Sequence, residues 1–123
     1  MIDFQQGFIK LAPIAPDRVM PLVGPMLVNG EQVVAAFKTV RDSVVFTDKR
    51  IIAINIHGVT GKKTTYTSLP YSKVQLFSIE TAGFMDRDCE LELHFNTIGA
   101  VKFEIRGNFD IVRFNSILSH YVL

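Results

Sequence analysis

The dominant feature of the sequence is a succession of short apolar segments, each interrupted by turn-forming residues before it could make a long helix. They run from Gln32 to about Gly107, and most alternate apolar and polar positions with the period of two that belongs to β-strands. The breaks are rich in Gly, Pro, Asn, Asp and Ser, which favour turns. Because the connections are short, we expect antiparallel hairpins. The pattern predicts seven strands, at about 32–40, 43–48, 50–57, 63–69, 73–81, 88–96 and 100–106.

The last two predicted strands have the clearest alternation and indicate one buried face. Their apolar positions are Cys89, Leu91, Leu93, Phe95, Val101, Phe103 and Ile105. The polar positions between them carry Glu90, Glu92 and His94 on one strand and Lys102, Glu104 and Arg106 on the other. A hairpin through residues 96–99 would therefore bring acidic side chains close to basic ones.

Two other predicted strands are apolar on both faces. In 50–57, Ile52, Ile54 and Ile56 point one way while Ile51 and Ala53 point the other, and 73–81 behaves similarly. Such strands need cover on both sides. We therefore expect more apolar surface than a small two-sheet domain with one helix can bury by itself.

After Gly107 the period changes to that of a helix. Apolar residues recur at Ile111, Phe114, Leu118 and Tyr121, while Asn108 could cap the helix and Asp110 suits its first turn. The chain is expected to end in an amphipathic helix that packs on the sheets.

The first 29 residues form a lead-in that four prolines prevent from making one long helix. A short helix within 17–27 is compatible with the pattern, and the domain proper is assigned to 30–123. The apolar residues of the lead-in could dock on its own subunit or on a neighbouring one. Its early Asp3 and the lack of a basic segment argue against a secretory signal, so the cytoplasm is the expected compartment.

Composition limits the classes of partner. The 123 residues suit one domain, and 13 Lys and Arg against 12 Asp and Glu give a net charge of +1. No overall field favours nucleic acid or an anionic membrane, and neither is expected as a partner. The single cysteine, Cys89, cannot form an internal disulfide, which suits a reducing compartment.

A series of short motifs through the middle of the chain resembles the bacterial pleckstrin homology (PH) domain family. The motifs are Gly30-Glu31-Gln32-Val33, Arg41-Asp42, Phe46-Thr47-Asp48-Lys49-Arg50, Gly58-Val59-Thr60-Gly61-Lys62-Lys63, Pro70-Tyr71-Ser72 and Ser78-Ile79-Glu80-Thr81-Ala82-Gly83. The resemblance implies a mostly β, PH-like fold, in which seven antiparallel strands form a two-sheet sandwich or barrel closed by a C-terminal α-helix. It also implies a stand-alone domain with no enzymatic activity, a tendency to assemble into rings, and no established ligand.

Basic residues in two turns are candidates for an anion site. Lys62 and Lys63 follow glycines that let backbone N–H groups approach an anion, and Lys49 and Arg50 lie in another turn. The alternative interpretation is a hairpin loop with solvated lysines. Lys38 and Arg41 could join Lys49 and Arg50 at one end of the fold, with Asp42 and Asp48 reducing the potential there.

The sequence does not support a catalytic or metal site. Cys89 shares its face with apolar residues and is expected in the core, and Glu92 with His94 would supply only two metal ligands. We expect no cofactor and no catalytic residue. The favoured function is a self-associating interaction module, most simply a closed homo-oligomeric ring, with another protein as a further partner. Anion or anionic-lipid headgroup binding through Lys62 and Lys63 is the alternative.

Overall fold

The computed structural model describes residues 8–58, 63–81, 88–107 and 109–123. Eight strands are present in this part of the chain: β1 (Phe8–Ile14), β2 (Val33–Lys38), β3 (Ser43–Thr47), β4 (Arg50–His57), β5 (Lys63–Pro70), β6 (Val74–Thr81), β7 (Cys89–Phe95) and β8 (Gly99–Ile105). The helices are α1 (Met20–Val23) and α2 (Ile111–Val122), with 3-10 turns at Pro16–Arg18, Gly24–Met26 and Tyr71–Lys73. The mostly β fold with a C-terminal helix is confirmed.

All eight strands belong to one curled sheet with the order β5-β4-β3-β2-β1-β8-β7-β6. The seven predicted strands correspond to β2 through β8, and the additional strand β1 lies in the lead-in. Every pairing is antiparallel except β1 with β8, which is parallel. The expectation of seven purely antiparallel strands in two sheets is therefore corrected to eight strands in two half-sheets that share β1.

Strand β1 changes partner along its length. Residues Phe8 to Leu11 pair with β8, and Ala12 to Ile14 pair with β2. Pro13 has no N–H to donate, and it lies beyond the last residue paired with β8, where no ladder bond is required of it on that side. The four prolines that argued against a long helix are thus compatible with a strand followed by short turns.

The concave side of the sheet holds the main core. Alternate residues of β7 and β8 point inward, as their sequence period predicts, and they meet buried residues of the other strands and of α2. Phe46 is stacked on Phe114 of α2 with ring centroids 5.0 Å apart. Phe114 and Leu118 are fully buried, so the predicted apolar stripe of α2 packs on the sheet.

The convex side of β2, β3 and β4 has its own cover. Val19 and Val23 of the lead-in are buried against Ala36, Val45 and Ile52. The lead-in therefore docks on its own subunit and covers the second apolar face of β4. This contact supplies cover that the sequence analysis expected to come partly from a neighbour.

Helix α2 begins after Asp110, whose side-chain carboxylate accepts a hydrogen bond from the backbone N–H of Arg113 at 3.0 Å. Asp110 therefore occupies the capping position, and the suggested cap Asn108 lies outside the described residues. In the described part of the chain no helix is both long and apolar enough to span a lipid bilayer.

Candidate binding site

The cations expected to form an anion site lie in two separate places. Lys49 and Arg50 are at the turn that joins β3 to β4, whereas Lys63 begins β5 opposite His57. The intervening length of β4 is roughly 23 Å at the usual rise of a strand. Lys63 is exposed at its end of the hairpin, and Lys62 lies outside the described residues.

Lys38 and Arg41 do not join Lys49 and Arg50. They flank the turn between β2 and β3, while Lys49 and Arg50 follow the opposite end of β3. Successive turns of an antiparallel meander alternate between the two ends of a sheet, so the expected grouping of these four cations is wrong. Lys38 and Arg41 instead share an end with Lys63.

Arg50 is engaged inside the fold. Its Nε and Nη2 donate to the two carboxylate oxygens of Glu31 at 3.0 and 2.9 Å, and Nη2 also donates to the carbonyl oxygen of Met26 at 2.7 Å. Nη1 donates to Ser68 Oγ at 3.0 Å. This use of a planar guanidinium on a carboxylate is the bidentate geometry that makes such pairs strong. Arg50 joins the lead-in to β4 and β5.

The Glu31 carboxylate is completely buried and accepts four hydrogen bonds. Besides the two from Arg50, it accepts from Thr47 Oγ1 at 2.6 Å and from the Val28 N–H at 3.0 Å. Burial by itself raises the pKa of Glu31, but the hydrogen bonds from Arg50, Thr47 and Val28 outweigh it and hold the pKa below its ordinary value. The motif residues Glu31, Thr47 and Arg50 therefore form a structural network.

On the outer face of β7 and β8, the expected pairing of acidic and basic residues is partly present. Glu92 lies 2.8 Å from His94 Nε2 and 3.7 Å from Lys102 Nζ. The hydrogen bond from His94 is the main reason that the pKa of Glu92 is lowered. Arg106, which directly follows β8, contacts Glu104 of that strand at 3.6 Å. Among the described residues, no group of three His, Cys, Asp or Glu side chains could hold a metal ion.

Cys89 is buried at the start of β7, as expected from its place on the same strand face as apolar residues. Burial, followed by the charge of Asp88, raises the pKa of its thiol. A thiol with a raised pKa carries less thiolate and is a weaker nucleophile at neutral pH. Cys89 therefore acts as a small apolar core residue.

Three glutamates form a row across the outer face of the half-sheet made by β6, β7 and β8. Glu90 of β7 is paired with Glu80 of β6 on one side and with Glu104 of β8 on the other. Desolvation, the side-chain hydrogen bond with Glu80 and the charges of Glu80 and Glu104 raise the pKa of Glu90. Like charges at directly opposite positions destabilise a sheet, so this row costs stability at neutral pH.

A basic cleft lies on the convex side where β1, β2 and β8 meet. Its volume is about 300 Å³, and its charged lining consists of Lys10, Lys38 and Arg106. The register explains the grouping, because Ala12 of β1 is opposite Lys38, and Leu11 is opposite Ile105. Lys10 and Arg106 were not recognised as site residues from the sequence, since only the missed strand β1 brings them together.

A second groove continues from the basic cleft along the turn between β2 and β3. It has a volume of about 220 Å³, and its cations are Arg18, Lys38 and Arg41. Residues 38–40 line both depressions. Of the described residues that line the two, Asp42 alone is acidic, and its carboxylate accepts a hydrogen bond from the Ile56 N–H on the far side of β3.

The sheet ends in two strands that each have a neighbour on one side only within the described chain, β5 and β6. Both contain eight residues. On β6 the side chain of Leu76 is 51% exposed, although its strand was expected to need cover on both faces. Met20, Met26 and Val28 of the lead-in are also exposed. Together with Leu76 and with Val40, Ile56, Val112 and Leu123, they are the large apolar side chains that stay exposed among the described residues.

Comparison with known proteins supports the resemblance found in the sequence. A sequence model of the bacterial PH domain family matches residues 4–122. A pleckstrin homology domain protein from Shewanella loihica PV-4 is 35% identical, with a TM-score of 0.69 over 93% of this chain and 98% of its own. A pleckstrin homology domain from Shewanella amazonensis SB2B is 36% identical, with a TM-score of 0.56 over 89% of this chain and 90% of its own.

Two curated relatives come from Bacillus subtilis strain 168, and both are named as uncharacterized proteins. YjqA is 54% identical over 68 residues, which are 55% of this chain and 54% of YjqA. YozO is 37% identical over 68 residues, which are 55% of this chain and 59% of YozO. The chain therefore matches little more than half the length of these relatives.

Proposed function

Because the chain belongs to the bacterial PH domain family, we propose that it is a binding and assembly module without catalytic activity, whose first partner is another copy of itself. The observation that carries the proposal is the pair of open edges at the two ends of the curled sheet, β5 and β6. A strand edge presents unpaired N–H and C=O groups, which are a template for pairing with another chain.

The two edges differ from each other, and this favours a ring. β5 is rich in threonine and serine, whereas β6 carries Leu76 on its outer face. A contact between β5 of one copy and β6 of the next is heterologous, so it either closes into a ring or continues as a filament. A closed ring would leave no edge exposed. We also propose the cytoplasm as its compartment, with which the single buried Cys89 is compatible.

Light scattering behind size exclusion tests the assembly. The wild-type chain at micromolar concentration should elute with the mass of several copies, and Leu76→Glu should lower that mass by placing a charge at the β6 surface. Val112→Glu is the matched control, because Val112 is 75% exposed in the first turn of α2 and belongs to neither edge strand. A wild-type monomer would contradict self-association. An unchanged mass for Leu76→Glu would contradict the role of β6.

A further inference from the structure

We propose that the basic cleft formed by Lys10, Lys38 and Arg106 binds a phosphate group, carried either by a lipid headgroup or by a soluble phosphorylated ligand. This site is distinct from the assembly surface proposed above, and neither depends on the other. It is also a different set of residues from Lys62 and Lys63, the alternative anion site expected from the sequence.

The strand register brings the three cations together. Lys10 and Lys38 point to the convex side from adjacent strands, because Ala12 is opposite Lys38 and Lys10 lies two residues before Ala12. Arg106 follows β8 and its backbone N–H donates to the carbonyl oxygen of Leu11 at 3.2 Å. Three cations from strands far apart in sequence therefore line one cleft.

These cations are largely free of competing carboxylates and can therefore contact a ligand. Within the described parts of the chain, neither Lys10 nor Lys38 forms an ion pair with a carboxylate. Arg106 is 62% exposed, and its ion pair among the described residues is a long contact of 3.6 Å with Glu104. Glu104, which is also opposite Lys10, is the acidic neighbour of the cleft, and it balances one of the three positive charges. Arg50, by contrast, uses its donors inside the fold.

The turn between β2 and β3, at the rim of the cleft, is held by its own hydrogen bonds. The Thr39 N–H donates to the Asp42 carbonyl oxygen at 2.9 Å, and the Asp42 N–H donates to Thr39 Oγ1 at 3.1 Å. These bonds close a turn whose tip carries Val40 and Arg41. Because Asp42 is buried and bonded to Ile56, its carboxylate points away from the cleft. The turn therefore presents a cation and a fully exposed apolar side chain.

The chemistry of the cleft suits a phosphate group. A guanidinium matches phosphate oxygens with parallel N–H donors, and lysines add positive charge without directional demands. Arg18 and Arg41 extend the positive surface along the second groove, so that a ligand larger than one phosphate would still meet cations. A fully exposed Val40 beside this surface is suited to the apolar boundary of a bilayer, which would supply the phosphate as a headgroup.

Thermal unfolding in inorganic phosphate, against chloride at equal ionic strength, tests the site without requiring a particular ligand. A ligand that binds only the folded state raises its melting temperature, and phosphate also stabilises proteins generally by exclusion. The variant Lys38→Glu/Arg106→Glu should lose the site-specific part of the increase. Lys62→Glu/Lys63→Glu, in the loop of the alternative anion site, and Lys73→Glu, which removes an exposed cation from the turn before β6, should keep it. An equal increase in all four proteins would overturn the proposal.

Sedimentation with vesicles identifies the source of the phosphate. The vesicles are phosphatidylcholine alone and phosphatidylcholine mixed with phosphatidylglycerol. If the source is a headgroup, the wild type binds the mixed vesicles, and Lys38→Glu/Arg106→Glu weakens binding by more than about tenfold. Val40→Asn, at a residue that lines the cleft but carries no charge, should then weaken vesicle binding by more than it reduces the phosphate response. A phosphate response without vesicle binding would support the same cleft with a soluble ligand.

Two results in the vesicle experiment would overturn the cleft. One is binding that is lost in Lys62→Glu/Lys63→Glu and retained in Lys38→Glu/Arg106→Glu. The other is an equal loss in every charge variant, including Lys73→Glu, which would indicate a general charge effect instead of a site. Circular dichroism of each variant checks that the substitutions leave the fold intact.

Discussion

The substitution Glu31→Gln should destabilise the fold strongly for a change of a single atom. Glu31 Oε2 accepts from Thr47 Oγ1 and Arg50 Nε, and Oε1 accepts from Val28 N–H and Arg50 Nη2. A glutamine keeps one oxygen for two of these donors. At the other position its NH₂ group faces the Nε–H of Arg50, so two donors meet and a buried charge-assisted bond is lost.

The expected magnitude follows from this arrangement. A hydrogen bond to a charged group contributes about 1.5–3 kcal/mol, and removing one partner of a buried ion pair costs about 3–5 kcal/mol. The Arg50 side chain is 21% exposed and keeps its bonds to Met26 and Ser68, so water and these partners compensate in part. We expect a loss of about 2–3 kcal/mol in the free energy of unfolding at pH 7.

The pH dependence provides a second test. The pKa of Glu31 is lowered from an ordinary value of 4.5, so its ionised form stabilises the folded state above that pH. This contribution is lost as the pH falls through the lowered pKa of the folded state. Glu31→Gln lacks the titration, and the difference between variant and wild type should therefore shrink in acid.

The assay is urea unfolding followed by circular dichroism at pH 7 and in the acid range, at one fixed protein concentration because association would add to stability. Asp17→Asn is the control, since it removes an exposed carboxylate from the lead-in and should change the free energy of unfolding by less than about 0.5 kcal/mol. A loss in Glu31→Gln as small as that of the control, or one that does not shrink in acid, would refute the reasoning.

Three further predictions concern stability. Glu90→Gln should raise the free energy of unfolding at pH 7, because the raised pKa of Glu90 means that its charge destabilises the folded state. This cost is present above the pKa of the folded state and absent below the ordinary value of 4.5. Urea unfolding at pH 7 and pH 4 should therefore show a gain only at pH 7. Phe114→Ala removes a fully buried ring and should cost about 3–5 kcal/mol, whereas a loss below 1 kcal/mol would mean that α2 packs loosely. Val23→Ala should cost about 1–3 kcal/mol in the same assay, and no measurable loss would contradict the docking of the lead-in on β2, β3 and β4.

The strands from β2 onward could be predicted because their signal is local. In β7 and β8 each apolar residue is two positions from the next, and a turn containing Gly99 at a positive φ of 76° separates them. β1 carries a similar alternation, with Ile9 and Leu11 facing the core and Lys10 facing outward. Its prolines and its distant partner β8 concealed it, since no local pattern reveals a pairing across most of the chain.

The same missing strand limited what could be inferred about a site. Lys38 is recognisable as a candidate because it adjoins a turn, but Lys10 and Arg106 become neighbours only through the pairing of β1 with β8. The sequence also gives no sign that Arg50 is held by a buried carboxylate, because Glu31 and Arg50 are far apart along the chain. Which charges stay free for a ligand depends on such contacts.

The division of β1 between two half-sheets has a consequence for how the protein is made. As the chain leaves the ribosome, β1 can pair with β2 soon after both are synthesised, but its other half must wait for β8, which follows all the other described strands in the sequence. Long-range pairings are also the slow step when a β-rich domain folds. Until then the inner side chains of Ile9 and Leu11 lack their partners, and the nascent chain exposes an unpaired strand to chaperones and to other copies of itself.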